Sequence, residues 1–446
     1  MSPKKRTADD LDGGGEPSTV RQPKKLFPIF SEPPSGPERN QDATFRWISP
    51  ALGPNRTCLH GLNLSPKSSP KVAAFDLDGC IIQSSFPKKG IPPSQFHWWR
   101  PSVPGKLKEL HDQGYSIIII TNQALRSAAL ADWRKKVPFI AAAASSLLTI
   151  SPRTPTLTSP KLPDVPFRLL AATARDGFRK PMPGMWYELV RIFAQDSVRI
   201  DLQESFFVGD AAGRAGDHAG TDRKWALNVN IPFFTPEEYF LKLPTASYTL
   251  QGFHVSSIPK DVPLISPTST PLLPAPSAPE IVLFVGFPAL GKSSFYRTHF
   301  EPAGYVHVNQ DTLRTRDKCV KAALEAVQNG KSCVVDNTNR DAQTRKHFVN
   351  LAQKSDVPIR CVVFNGSIEL AWHNNLYRAY NLPPSLVEKN PKRDLVPYTA
   401  FTSFRAQYEE PQLSEGFTQI RKVNWTFEGD EEQRQRWSMW LQIDGR

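Results

Sequence analysis

No run of the 446-residue chain approaches the roughly 18 apolar residues of a membrane-spanning helix, so no span and no membrane partner are expected. Cysteine is scarce. The five thiols (Cys58, Cys80, Cys319, Cys333, Cys361) are odd in number and form no close pair. That argues against a disulfide framework and a cysteine zinc site, and for a reducing compartment. The first residues carry charge where a secretory signal needs an apolar stretch, so export is not expected. Acidic residues are in deficit, 43 Asp and Glu against 55 Lys and Arg, for a net charge of +12. Residues 1–25 hold six Lys/Arg and four Asp/Glu, so most of the excess lies on the body of the protein. A basic body suits a polyanion bound through phosphate contacts, although basic proteins without such a partner are common.

The chain is long enough for two or three domains. Residues 1–42 are polar, Pro- and Gly-rich and without apolar periodicity, and are expected to be a disordered basic tail. Lys4-Lys5-Arg6 and Arg21–Lys25 read either as a bipartite nuclear localisation signal or as a solvated tail. Residues 43–70 read as a connecting segment. Over 71–255 short apolar runs alternate with amphipathic stretches, an α/β pattern. Lys71–Phe75, Tyr115–Ile120, Arg168–Ala172, Phe206–Val208 and Ala226–Val229 read as buried parallel strands, with helices over 103–113 and 184–195. Residues 139–164 are Ala/Ser- and then Pro/Thr-rich, and are expected to end in a surface loop. Seven prolines over 256–279 predict a stiff linker. A second α/β unit fills 280–446. Its strands are expected at Glu280–Val285, Tyr305–Val308, Cys333–Val335 and Arg360–Phe364, and its helices over 319–329 and 341–353.

Phe75-Asp76-Leu77-Asp78-Gly79 follows the first of these strands. Two carboxylates then stand at the C-terminal edge of a parallel sheet, where such sheets bind ligands. Asp76 can attack phosphorus and form an aspartyl phosphate, while Asp78 can protonate the leaving oxygen and later activate water. Crowded carboxylates call for a hard cation, and Mg²⁺ suits oxygen ligands. Ile120-Thr121-Asn122-Gln123 offers the Thr121 hydroxyl to a phosphate oxygen. Arg179-Lys180-Pro181 offers Lys180 to neutralise the transferring group. Phe207-Val208-Gly209-Asp210 ends a strand with a carboxylate that completes a metal shell of Asp76, Asp78 and Asp210. This order resembles the haloacid dehalogenase superfamily. Cys80 stands where that superfamily usually has Thr or Val, and a tuning effect is expected from it.

Gly286-Phe287-Pro288-Ala289-Leu290-Gly291-Lys292-Ser293 follows a second strand and opens a helix. GxxxxGK[ST] in that setting cradles the phosphates of ATP on backbone N–H groups. Gly286, Gly291, Lys292 and Ser293 are the candidate ATP contacts, with Lys292 on the β- and γ-phosphates and Ser293 on Mg²⁺. Asp311 is placed either to take the proton of an acceptor hydroxyl or to cap a helix over 312–328. Asp336 ends the third strand as a second Mg²⁺ ligand, followed by Asn337 as a substrate contact. Arg378, within Trp372–Arg378 on a helix, is a candidate for stabilising transition-state charge, or an ordinary surface arginine.

Over residues 71–427 the chain resembles the eukaryotic polynucleotide 5′-kinase/3′-phosphatases of DNA strand-break repair. The resemblance rests on Lys71–Gly79, Arg179-Lys180-Pro181, Gly184-Met185-Trp186 and Val208–Arg214. It continues through Asp222-Arg223-Lys224, Thr235–Glu238, Val285–Pro288, Tyr305–Asn309 and Asp336–Asn339. It implies a haloacid-dehalogenase-like phosphatase followed by a P-loop kinase, using Mg²⁺ and ATP. Its substrates would be DNA ends bearing 3′-phosphate and 5′-hydroxyl, with repair proteins as partners. Nuclear action is expected from the basic clusters and the need for DNA ends, and a monomer because nothing in the chain suggests a coiled coil or another dimerisation seam. The forkhead-associated domain of animal members is expected to be absent, as in fungal ones. Gln310 replaces an arginine of animal members, and Arg314 instead resembles the phage kinase pattern, in which an arginine contacts the acceptor phosphate. Trp372 and Leu376 occupy lid positions that are basic in animal members. The competing reading is a metabolic fusion of a small-molecule phosphatase and a nucleoside kinase, which the basic body and the pairing of opposite activities disfavour.

Overall fold

The computed structural model of the protein describes residues 44–83, 92, 94–142, 165–259, 261–273, 278–389 and 394–443. The expected tail, both basic clusters and the loop after residue 142 lie outside the described residues. Among the described residues no helix is long and apolar enough to cross a membrane.

Two sheets organise the chain. The first contains β1 (Phe45–Leu52), β2 (Cys58–Asn63), β3 (Val72–Phe75), β4 (Ser116–Asn122), β5 (Phe167–Ala172), β6 (Phe206–Val208) and β7 (Phe233–Phe234). Their order is β1-β2-β5-β4-β3-β6-β7. Strands β5, β4, β3, β6 and β7 run parallel, and β2 joins β5 antiparallel. Its helices are α1 (Val103–Asp112), α2 (Ser127–Ala142), α3 (Gly184–Gln195), α4 (Thr221–Val229) and α5 (Pro236–Leu241). Side chains alternate across the pleat, so each central strand feeds two cores. Ala73, Phe75, Ile117 and Ile119 pack with Leu107, Trp133 and Val137 on one face. Val72, Ala74, Ile118 and Ile120 pack with Met185, Leu189 and Trp225 on the other. A strand buried on both faces reads as a continuous apolar run, which is why these were legible.

The second sheet contains β8 (Ile265–Ser266), β9 (Ile281–Val285), β10 (Val306–Asn309), β11 (Cys333–Asp336), β12 (Ile359–Asn365) and β13 (Gln419–Asn424), in the order β10-β11-β9-β12-β13-β8. Its helices are α6 (Lys292–Phe295), α7 (Gln310–Leu313), α8 (Arg316–Gln328), α9 (Ala342–Lys354), α10 (Ile368–Tyr380), α11 (Pro384–Lys389), α12 (Tyr398–Gln407) and α13 (Glu431–Trp437). Ile281, Leu283 and Val285 face α8 and α9, while Val282 and Phe284 face α10, α12 and α13.

Three expectations are corrected. Ala226–Val229 is the C-terminal half of α4 and not a strand: Trp225, Ala226 and Val229 are buried while Leu227 is 55% exposed, a helical alternation. Four residues, only three of them apolar, carry too little pattern to separate the two periods. Residues 43–70 are not a mere connection, because β1 and β2 extend the first sheet. Pro50 within β1 disguised it, and an edge strand is where a sheet tolerates proline. The Pro-rich stretch does not hold the two halves apart as a spacer. Ile265–Ser266 pairs with β13, and Leu264, Ile265, Leu272 and Leu273 pack into the second core.

Candidate active sites

The first site stands at the C-terminal edge of the first sheet. Asp76 leaves β3 with its N–H donated to Val208 O (2.8 Å), which ties it to the neighbouring strand. Lys180 Nζ lies 2.6 Å from Asp76 Oδ1 and 2.8 Å from Asp222 Oδ1, and donates to Ile120 O at 2.9 Å. Asn122 holds the Lys180 main chain at both its N–H (2.9 Å) and its carbonyl (3.2 Å). Gln123 Nε2 donates to Asp78 Oδ2 (2.7 Å) and to Thr121 Oγ1 (3.1 Å). Asp76, Asp210 and Asp222 each offer an oxygen within 4.8 Å of the others. Two glycines make room for this: a Cβ on Gly79 would collide with the Asp210 carboxylate, and one on Gly209 with that of Asp222. Gly79 also sits at φ 75°, where L side chains are strained.

Burial pushes the Asp76 carboxyl well above the usual carboxylate range, with Lys180 opposing and the neighbouring aspartates adding to it. Burial and then the charge of Asp222 push Asp210 up to about 7. Burial works against the Lys180 ammonium, but Asp222 and Asp76 overcome it and hold its pKa above the ordinary value. One buried cation therefore does not balance the cluster, and a divalent cation bound to oxygens would fit it. Asp76, Asp210 and Asp222 are the carboxylates that would hold that cation. The carboxylate of Asp78, expected in the metal shell, is not in this group and accepts from Gln123 instead. Asp222 and Gln123 were missed as site residues. Their signals were present, in Asp222-Arg223-Lys224 and Thr121-Asn122-Gln123, but only the folded α4 brings Asp222 to Lys180. Cys80 is fully buried with Sγ 3.3 Å from Val208 O, a core position just after the Asp76–Gly79 turn.

The second site stands between β9 and α6. Lys292 Nζ folds over its own loop, donating to Phe287 O (2.6 Å) and Gly286 O (3.0 Å). Burial lowers its pKa to about 8, which Asp336 and Asp311 resist and Arg378 reinforces. Asp336 Oδ2 accepts from Ser293 Oγ (2.6 Å) and from Asn309 Nδ2 (3.0 Å), and lies 3.0 Å from His307 Nε2. Although burial raises it, the bond to His307, the charge of Lys292 and the bond from Ser293 keep the Asp336 carboxyl below its usual value. Ser293 and Asp336 thus form the oxygen pair that would hold the cation of a bound nucleotide. His307, stacked on Tyr296 at 4.0 Å, was not foreseen there.

Asp311 and Arg314 are exposed at the start and just past the end of α7. The capping role considered for Asp311 belongs to others: Asn309 caps α7 and Thr315 caps α8. Arg314 adopts φ 72° as it leaves α7. Asn337 Nδ2 donates to Gln310 Oε1. Arg378 lines a cavity of about 410 Å³ with Gly291, Ser294, Tyr377 and Trp425, beside the start of α6. Asn374 Nδ2 donates to Ala289 O (3.2 Å), tying α10 to the loop. Leu376 is not a lid residue. It is fully buried with Met182, Leu441 and Ile443.

The fold and these two sites define a haloacid-dehalogenase-like phosphatase joined to a P-loop kinase. Residues 71–240 match the family described as "Polynucleotide kinase 3 phosphatase", and residues 281–411 match the "AAA domain" family. The chain is 37% identical over 385 residues to the "Bifunctional polynucleotide phosphatase/kinase" of Schizosaccharomyces pombe, covering 84% of each chain. It is 36% identical over 196 residues to the "Polynucleotide 3'-phosphatase ZDP" of Arabidopsis thaliana, covering 42% of this chain and 26% of that one. The chain belongs to the bifunctional polynucleotide phosphatase/kinase family.

Proposed function

We propose that the protein heals broken DNA ends in the nucleus, as a monomer, by removing 3′-phosphates and phosphorylating 5′-hydroxyls before polymerase and ligase act. The observation that carries this reading is the Asp76–Lys180–Asp222 web in the same chain as a strand-embedded P-loop. In the phosphatase, an Asp76 oxygen attacks phosphorus as the bond to the 3′-oxygen breaks. Asp78 gives that oxygen its proton, and Gln123 holds Asp78 in place. Lys180 and Thr121 meet the phosphoryl oxygens. Asp78 then takes a proton from water, whose oxygen attacks the Asp76 phosphate and releases inorganic phosphate. A magnesium ion held by Asp76, Asp210 and Asp222 would offset charge on the transferring group.

In the kinase, Asp311 takes the proton of the 5′-hydroxyl as its oxygen attacks the γ-phosphate of ATP and the bond to ADP breaks. Lys292 leaves the loop carbonyls for the phosphates, Arg378 meets the developing charge, and Arg314 holds the acceptor's phosphate. The cavity beside Gly291, with Tyr377 and Trp425 in its wall, has the position for the nucleoside of ATP. The basic clusters near Lys4 and Lys24 support nuclear entry. The test is a nicked duplex carrying 3′-phosphate and 5′-hydroxyl, run against an RNA nick and free nucleotides. Conversion of both DNA ends is expected, and turnover confined to free nucleotides would favour the metabolic reading.

A further inference from the structure

Lys180 is fixed at its ammonium by Asp76 and Asp222 and at its main chain by Asn122, all within the phosphatase half. Its sequence neighbours are fixed by something else, the segment Trp437–Ile443, at the C-terminal end of the kinase half. Asn228, near the end of α4, is the hub. Its Nδ2 donates to Pro181 O (2.8 Å) and to Trp440 O (2.7 Å), while its Oδ1 accepts from Trp440 N (2.7 Å). On the other side of Lys180, Arg179 Nε donates to Ile443 O at 3.3 Å. Met182 is fully buried against Leu441, Ile443 and Leu376. The far flank of the segment rests on α10: Trp437 Nε1 donates to Asn374 Oδ1 (2.8 Å), and His373 Nε2 lies 2.7 Å from Trp437 O.

We propose that Asn228 and the segment Trp437–Ile443 position Lys180, so that the phosphatase rate depends on chain contributed by the kinase half. Lys180 must stand opposite the transferring phosphoryl group, and a displacement of about 1 Å at such a group can cost a hundredfold in rate. A buried amide with all three bonds made sets the Pro181 carbonyl firmly, and losing its donors leaves the buried Pro181 carbonyl and the half-buried Trp440 carbonyl without that partner. The segment thus forms the floor on which the Arg179–Met182 loop lies. Because the same segment is seated on α10, which carries Arg378, the two active sites share one support.

The inference rests on the phosphatase reading, and the experiment separates the two. The full chain is assayed on p-nitrophenyl phosphate, which reads the Asp76 chemistry whatever the natural substrate, and on a 3′-phosphorylated oligonucleotide. Wild-type turnover of the first alone would remove the polynucleotide reading and leave the positioning measurable. Asn228→Asp sets a carboxylate against the Pro181 and Trp440 carbonyls. Leu441→Ala hollows the shared cluster from the segment's side. Trp440→Phe keeps both main-chain bonds and an aromatic ring beside Lys224, whose Nζ lies 4.5 Å from the Trp440 ring centre. Asn228→Asp is expected to lower phosphatase kcat about tenfold or more, with KM and kinase kcat each within about twofold. Leu441→Ala should shift kcat in the same direction, and Trp440→Phe should match the wild type. Unchanged phosphatase kcat in both Asn228→Asp and Leu441→Ala would overturn the proposal. So would an equal loss of both activities in both variants alongside a lower Tm, which would make the contact a structural joint only.

Discussion

At the scale of single residues, chemistry is concentrated where burial and charge conflict. Asp76 is 6% exposed and Lys180 2%, and a buried pair of this kind adds little net stability over apolar packing. In the proposed mechanism its value lies in holding a nucleophile and a counter-charge in register. Asp76→Asn keeps the shape and removes the nucleophile, so 3′-phosphate release should fall to background while 5′-phosphorylation persists. Residual phosphatase turnover in that variant would remove Asp76 from the role. In the second site Asp311 caps nothing, so Asp311→Asn should leave the Tm unchanged and lower kinase kcat by roughly 10² or more. Arg314→Ala should raise the polynucleotide KM more than the ATP KM, and an unaltered polynucleotide KM would show that Arg314 does not hold the acceptor. Lys292 supplies a pH test. Its ammonium, with a pKa near 8, is present below that pH and lost above it. The kcat/KM for ATP, which reports the free enzyme, should therefore fall on the alkaline side of about pH 8. In Lys292→Arg, whose guanidinium stays charged, that limb should disappear, and its persistence would assign the titration to another group.

Elements explain how these side chains are delivered. The phosphatase groups stand at the C-terminal edge of the sheet, Thr121 at the end of β4, Asp76, Asp78, Gln123, Lys180 and Asp210 in the loops that follow the strands, and Asp222 in the first turn of α4. Its carboxylate also accepts from Ala211 N–H (3.1 Å), which couples the start of α4 to the loop after β6. The edge strands carry no chemistry but close the core. Phe45, Cys58 and Leu62 on β1 and β2 are buried, and β2 satisfies one side of β5 through residues Cys58–Asn63. Removing them uncovers apolar surface worth about 1.5–3 kcal/mol per large side chain and leaves a strand edge unpaired. A chain starting at residue 71 should therefore lose its cooperative thermal transition and its phosphatase activity, whereas one starting at residue 44 should keep both. A folded, active chain from residue 71 would show that the two strands are dispensable.

Across the whole molecule, the chain from Thr44 onward is a single compact unit, and Ile265–Ser266 of the Pro-rich stretch forms an edge strand of the second sheet. Met182 from the first half shares a buried cluster with Leu376, Leu441 and Ile443 from the second. The basic tail belongs to this scale as well. Deleting residues 1–25 should leave both activities intact in vitro and reduce nuclear accumulation of the tagged protein in cells. Unchanged accumulation would reject a localisation signal at Lys4–Arg6 and Arg21–Lys25.

The sequence by itself determined the class of the protein and where its two candidate sites fall. The nucleophile loop at Asp76, the strand-ending Asp210, and Gly286–Ser293 are local patterns of neighbouring residues, legible because strand, turn and helix start are encoded within a few positions. The doubly buried strands were legible for the same reason, as uninterrupted apolar runs. Tertiary structure alone decided what depends on distance in the chain. It brought Asp222 to Lys180 across 42 residues, turned the Asp78 carboxylate toward Gln123, and set His307 against Asp336. It made α4 from a run too short to show its period and hid Leu376 in a joint. It also seated Trp437–Ile443 under the Arg179–Met182 loop. These are packing outcomes among residues far apart in sequence, and no local pattern encodes them.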